Sequence, residues 1–191
     1  MQKNLYVLIG VPGTGKTTFV RERMLPAMSA STKVVSIDAI RFSMIKSQDE
    51  YFENEAAVWA EFIKQIKQSL EENNNTIVDA THINYFSRKK LFHALGDSIT
   101  DVKIIGIVLL NNLLTCLDRN SKRTGLANVP EKAIRNLYDN FTEPQFSEGF
   151  HEIQTYDRGD CISIKTNIRQ EKEDLKDFPR TEESERRRQD D

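Results

Sequence analysis

Gly10-Val11-Pro12-Gly13-Thr14-Gly15-Lys16-Thr17, directly after the apolar run Leu5-Tyr6-Val7-Leu8-Ile9, decides how the chain is read. It matches Gly, four residues, Gly-Lys, then Ser or Thr, in the strand–loop–helix setting that this pattern requires. Glycines let the backbone curl so that successive N–H groups converge on a polyphosphate. The following helix adds its positive N-terminal end. Lys16 supplies a mobile cation for the β and γ phosphates, and the Thr17 hydroxyl is a ligand for Mg²⁺. Gly10, Gly13, Thr14, Gly15, Lys16, Thr17 and the adjoining Thr18 are therefore the expected nucleotide-binding residues, with ATP and Mg²⁺ as the expected cofactors. A glycine-rich turn without a ligand would need four fixed positions to coincide by chance, although Gly is only about 7% of average usage. The motif predicts a chain that binds a nucleoside triphosphate.

Outward from this loop, strand signals fall at Leu5–Ile9, Lys33–Ile37, Thr76–Val78, Val102–Leu110 and around Glu152–Tyr156, with Cys161–Ile164 weaker. Helix-period segments lie between them, at Thr17–Met28, Ala56–Leu70, Phe86–Leu95, Leu113–Asn120 and Pro130–Phe141. In Ala56–Leu70, Trp59, Phe62, Ile63, Ile66 and Leu70 share one face, so Trp59 reads as core before it reads as a platform for bases. Pro130 suits a first helical position. The alternation predicts an α/β fold, a parallel β-sheet flanked by helices on both faces. Ligands in such sheets sit beyond the carboxyl ends of the strands.

The 191 residues suit one domain, expected over 1–165, with a charged, mobile tail over 166–191 in which a helix is possible at Arg169–Asp177. Lys plus Arg number 27 and Asp plus Glu 29; Arg169–Asp191 holds 7 basic and 9 acidic residues, leaving 20 of each in the body. A nucleic-acid site must then be a local cluster, because the whole molecule offers no basic field. Cys116 and Cys161 form no C-x-x-C pair, and neither a signal sequence nor an apolar run of about 18–20 residues occurs. A cytoplasmic chain that does not enter a membrane is expected.

Three clusters stand at strand ends. Asp38 and Arg41 follow the second strand and share a face if a helix starts there. Asp38 is either a helix N-cap or a general base, and Arg41 either a surface residue or a phosphate ligand. Asp79 ends the third strand with Thr81 two residues on. It either serves the Mg²⁺ shell or belongs to a cap involving Thr81 or Asn84. Arg119 and Arg123, spaced i and i+4, read as a lid over the triphosphate or as a solvated basic helix end.

Taken together, these residues resemble the kinase domain of polynucleotide 5′-hydroxyl kinases over roughly Asn4 to Ile153. Gly10–Thr17 is similar to that family's phosphate loop, and Asp38-x-x-Arg41 to its general base and acceptor-phosphate arginine. Asp79-x-Thr81 is similar to its third-strand acidic motif, and Arg119-Asn120-Ser121-Lys122-Arg123 to its lid. Val129-Pro130 matches the edge of that lid, and Pro144 with Glu148-Gly149-Phe150 and Ile153 the segment before the last strand. The resemblance implies a P-loop kinase fold with a helical lid and transfer of phosphate from ATP to 5′-OH ends of DNA or RNA. Lys16, Asp38, Arg41 and Arg123 would be catalytic, with Asp38, Arg41, Asp79 and Thr81 on the substrate and Thr17 and Asp79 on the metal. No Asp-x-Asp-x-Thr phosphatase motif occurs, so only the kinase step is implied. A kinase for a small-molecule hydroxyl and an ATP-gated binding module are the competing readings.

Overall fold

The computed structural model describes residues 3–45, 51–72 and 74–167; the charged tail, with its expected helix at Arg169–Asp177, lies outside the described residues. Strand β1 (Lys3–Ile9) is central, paired in parallel with β3 (Thr76–Asp79) on one side and β4 (Val102–Leu110) on the other. All three read as near-continuous apolar runs, as strands covered on both faces must. With β2 (Lys33–Ser36), β5 (Glu152–Asp157) and β6 (Asp160–Thr166), the sheet order is β2-β3-β1-β4-β5-β6.

Five strands are parallel; β6 runs antiparallel to β5, a departure from the all-parallel reading. Only Arg158 and Gly159 join the two, at φ 49° and 96°. A two-residue connection with both residues left-handed makes a hairpin, since a parallel crossover needs a dozen residues or more.

Side chains alternate across β1. Leu5, Val7 and Ile9 face a core formed with Val58, Phe62, Ile66 and Leu70 of α3 (Tyr51–Glu71) and Leu91 and Leu95 of α4 (Tyr85–Leu95). Trp59 and Ile63 pack at its margin, and Phe150 is fully buried within it, edge-on to Phe92 at 5.3 Å. Leu8 faces the opposite layer, where Phe19, Val20 and Met24 cover Ile77, Ile105, Ile107 and Leu109. That covering segment starts as α1 (Lys16–Phe19), widens into a π-helical turn at Val20–Met24 and closes as a 3₁₀ turn at Leu25–Ala27. Pro26 lacks the N–H that would continue the α ladder.

A third, small core joins α5 (Leu113–Ser121) to α6 (Glu131–Asp139) through Cys116 and Ile134, and it includes Val11 of the glycine loop and Ile83 after β3. The helical pair is thereby seated on the carboxyl edge of the sheet. Two boundaries differ from expectation. Pro130 precedes the first turn of α6 as its cap. The second strand ends at Ser36, whose hydroxyl accepts from the Ala39 N–H at 3.4 Å and caps α2 (Ile37–Met44). Asp38 is therefore not the cap; it lies inside the first turn.

Candidate active site

The glycine loop leaves β1 and is held from three sides. The Gly10 N–H donates to the Thr81 carbonyl at 3.0 Å, which joins the loop to the segment after β3. Thr14 is buried, and its hydroxyl donates to the Val11 carbonyl at 3.0 Å. Gly13 and Gly15 stand at φ 90° and 101°, where a side chain is strained. At Gly13 a Cβ would also lie 2.3 Å from the Cys116 carbonyl oxygen, so the α5 backbone rests directly on the loop. Arg119, from the next turn of α5, donates to the Gly13 and Thr14 carbonyls at 3.2 and 3.3 Å.

The Lys16 ammonium donates to the carbonyls of Gly10 (2.7 Å) and Val11 (3.1 Å), folded back over the rim of the loop. Burial pulls its pKa down to about 8, against the opposing pull of Asp79 and then Asp38. Thr17 and Thr18 are exposed on α1, and the Thr17 hydroxyl donates to Asp79 Oδ2 at 3.1 Å. Asp79 closes β3 opposite Ser36 and is buried; desolvation raises its pKa, while Lys16 and the Thr17 hydrogen bond lower it. A buried carboxylate short of compensating charge, with a hydroxyl beside it, is a hard-oxygen pair. Mg²⁺ favours one or two such protein oxygens together with substrate phosphates, so the pair fits that ion.

On α2, Arg41 and Asp38 form an ion pair. The arginine side chain is only 8% exposed, whereas Asp38 is 64% exposed and open at the edge of the sheet. Glu55, from the first turns of α3, grips the guanidinium with Oε1 on Nη2 at 2.9 Å and Oε2 on Nε at 3.2 Å. Sequence reasoning missed Glu55. It lies 14 residues from Arg41, and the only signal is that a buried arginine needs a carboxylate.

Arg119 and Arg123 stand differently toward the loop. α5 ends at Ser121, so Arg123 lies past the helix and shares no helical face with Arg119. Its side chain is exposed, and its charge acts on both Lys16 and Asp79. Buried Asn120 fixes this corner: its amide donates to the Val129 and Asn128 oxygens at 2.7 and 3.0 Å and accepts from the Val129 N–H at 3.1 Å. A second missed group, Arg88, is fully buried and pairs with Glu148 at 2.6 Å. It also donates to the carbonyls of His82 and Thr142, tying the loop after β3 to the segment after α6. Thr81 contributes its carbonyl to Gly10 and is itself half-buried.

A cavity of about 550 Å³ opens beside the loop, walled by Gly10, Thr14, Asn111, Tyr138, Phe141 and Arg158. Its apolar walls and polar edges suit a nucleoside. Phe150 is in the core and does not line this cavity.

A family profile described as an AAA domain matches residues 5–144, and the chain belongs to that family. No curated protein matches significantly. Among solved structures, the chain is similar to a protein of the Pnkp1/Rnl/Hen1 RNA repair complex at 22% identity and a TM-score of 0.59. That match covers 73% of this chain and 44% of the other, so the chain spans less than half of that protein's length. It is also similar to a sugar kinase from Janibacter sp. HTCC2649, at 15% identity and a TM-score of 0.54 over 82% of this chain and 86% of that one. Kti12 of Chaetomium thermophilum, solved with ADP-AlF3, matches at 15% identity and a TM-score of 0.56 over 80% and 88%. These likenesses show the fold. Loop, sheet order and family together define a P-loop kinase-like, nucleotide-binding domain.

Proposed function

We propose that the chain is an ATP-dependent kinase that transfers the γ-phosphate to the 5′-hydroxyl end of DNA or RNA. The observation that carries this reading is the Asp38–Arg41–Glu55 group, a second polar centre at the carboxyl edge of the sheet, separate from the glycine loop. A nucleotide-gated binding module needs the loop alone. A kinase needs, in addition, an open carboxylate for the attacking hydroxyl and a cation for the acceptor.

In the reaction, the acceptor oxygen forms a bond to the γ-phosphorus while the bond from that phosphorus to the β,γ-bridging oxygen breaks. ADP leaves, and the hydroxyl proton passes to the Asp38 carboxylate. Arg41, held by Glu55, orients a phosphate of the acceptor strand. Lys16 swings from the loop carbonyls to the donor phosphates, and Arg119 and Arg123 spread the negative charge of the transferring group. The transition state is loose, so positioning outweighs base strength. Thr17 and Asp79 would hold Mg²⁺, which supplies charge neutralisation at the donor phosphates.

Asp38→Ala is expected to lose turnover by two orders of magnitude or more while ATP affinity stays within about threefold, since general-base groups contribute roughly 10²–10⁴. Near-normal turnover by this variant removes the base assignment. A second reading, phosphorylation of a small-molecule hydroxyl, is favoured by the equal numbers of basic and acidic residues in the body. γ-³²P-ATP with a panel of 5′-OH oligonucleotides, nucleosides and sugars separates the two. Label confined to a metabolite would replace the polynucleotide reading.

A further inference from the structure

The exposed edge of α4, one loop beyond Thr81, carries groups that nothing above uses. We propose that Tyr85, Phe86 and Lys89 form a stacking platform for unpaired bases of the acceptor strand downstream of its 5′ end. The proposal rests on the polynucleotide reading and adds the element that would recognise a strand as opposed to a single nucleotide.

Phe86 is the most exposed large apolar side chain among the described residues, at 78%, and Tyr85 beside it is 43% exposed. Their rings meet edge to face, with centroids 5.6 Å apart and planes at 73°. The exposure is built in by the helix phase. Arg88, Leu91 and Leu95 point inward and are fully buried, so Tyr85, Phe86, Lys89 and Lys90 fall on the outer side. The first turn is fixed by Asn84 and Ser87, which cap it reciprocally, and by the Tyr85 N–H, which donates to Thr142 Oγ1 at 3.0 Å. The buried Arg88–Glu148 pair anchors it from below. The aromatic pair thus stands on a fixed base, which lowers the ordering cost of binding.

The charge around it matches a polyanion. α4 contains Arg88, Lys89, Lys90 and His93 and no acidic residue. Lys89 Nζ lies 5.7 Å from the centre of the Tyr85 ring, and Lys90 Nζ lies 4.3 Å over Trp59. Among the described residues, neither lysine forms an ion pair. Aromatic faces beside unneutralised cations are the combination that binds single strands without sequence preference. Because the body is electrically balanced, a local cluster of this kind is what a strand would require.

Position and size point the same way. Phe86 is five residues after Thr81, so no more than about 18 Å of backbone separates them. That is a span of about five stacked nucleotides at roughly 3.4 Å each. Two rings are far smaller than the several hundred Å² per partner that a stable protein interface needs, but they accommodate one or two bases.

The test compares steady-state phosphorylation by wild type, Phe86→Ala and Phe86→Trp, using 5′-OH decanucleotides of DNA and of RNA and a nucleoside 3′-monophosphate as minimal acceptor. Phe86→Ala is expected to raise KM for both decanucleotides roughly 5- to 150-fold, the range for loss of one base stack. It should leave kcat, KM for ATP and KM for the minimal acceptor unchanged, and Phe86→Trp should restore the decanucleotide KM. If wild type labels no oligonucleotide, the polynucleotide reading falls and the platform with it. If wild type labels the decanucleotides and Phe86→Ala keeps the same KM for them, or loses all acceptors equally, the platform alone is overturned.

Discussion

Lys16 carries the plainest consequence of burial at the single-residue scale. Its amine titrates near pH 8, because desolvation outweighs Asp79 and Asp38. A bound triphosphate favours the ammonium and so raises this pKa in the complex. Between the two values the complex holds more protons, and affinity for ATP must fall as pH rises past about 8. Titration with a fluorescent ATP analogue from pH 7 to 9.5 should show this decline, and Lys16→Ala should flatten it; affinity that rises over the same range contradicts the assignment. Glu55 is a positioning residue in the proposed reaction. Glu55→Gln should raise KM for the acceptor about tenfold by loosening Arg41 while KM for ATP stays fixed, a split that steady-state kinetics with each substrate varied resolves. At this scale the sequence singled out Lys16, Asp79 and Asp38, which their neighbours along the chain mark. It was silent on Glu55 and Arg88, whose roles arise from packing between segments 14 and 60 residues apart.

Among elements, the contact between α5 and the glycine loop ties the two together. With no room for a Cβ at Gly13, Gly13→Ala must push the Cys116 backbone away and carry Arg119 with it. The variant should lose ATP binding at least tenfold, measured by calorimetry. The Arg88–Glu148 pair does similar work between the loop after β3 and the segment after α6. Glu148→Ala leaves a buried guanidinium unpaired and should cost about 3–5 kcal/mol in denaturant unfolding. The strands and the α3 stripe were readable from hydrophobic period. The end of β2 was not, because Ile37 continues the apolar run while Ser36 already caps a helix. The antiparallel direction of β6 was also missed, although Arg158-Gly159 leaves room for nothing but a hairpin. The lid's end was misjudged for a related reason. Spacing puts Arg119 and Arg123 on one face only if α5 continues, and Asn120 turns the chain first.

For the molecule as a whole, burial also sets how stability responds to acid. His82 is buried at φ 39° against Phe62, and burial depresses its pKa to about 4 from the usual 6.5. Between those values the unfolded chain binds more protons. The His82 contribution to stability is therefore expected to be full above about pH 6.5 and lost as pH falls toward 4, by on the order of 3 kcal/mol. His82→Gln should flatten the Tm-against-pH curve in that window. No helix among the described residues is long and apolar enough to cross a membrane. The α/β layers and the edge at which the site forms followed from strand–helix alternation and one loop motif, because both are local in sequence. The acceptor was not legible in that way; in the proposed reaction it depends on which side chains α2, α3 and α4 present together at that edge. The central claim is tested most directly by incubating the protein with γ-³²P-ATP and a 5′-OH decanucleotide, then digesting the product to locate the label. We predict label as the 5′-monophosphate of the terminal nucleotide and none on a decanucleotide that already carries a 5′-phosphate. An unlabelled 5′-OH strand at saturating ATP would contradict the account.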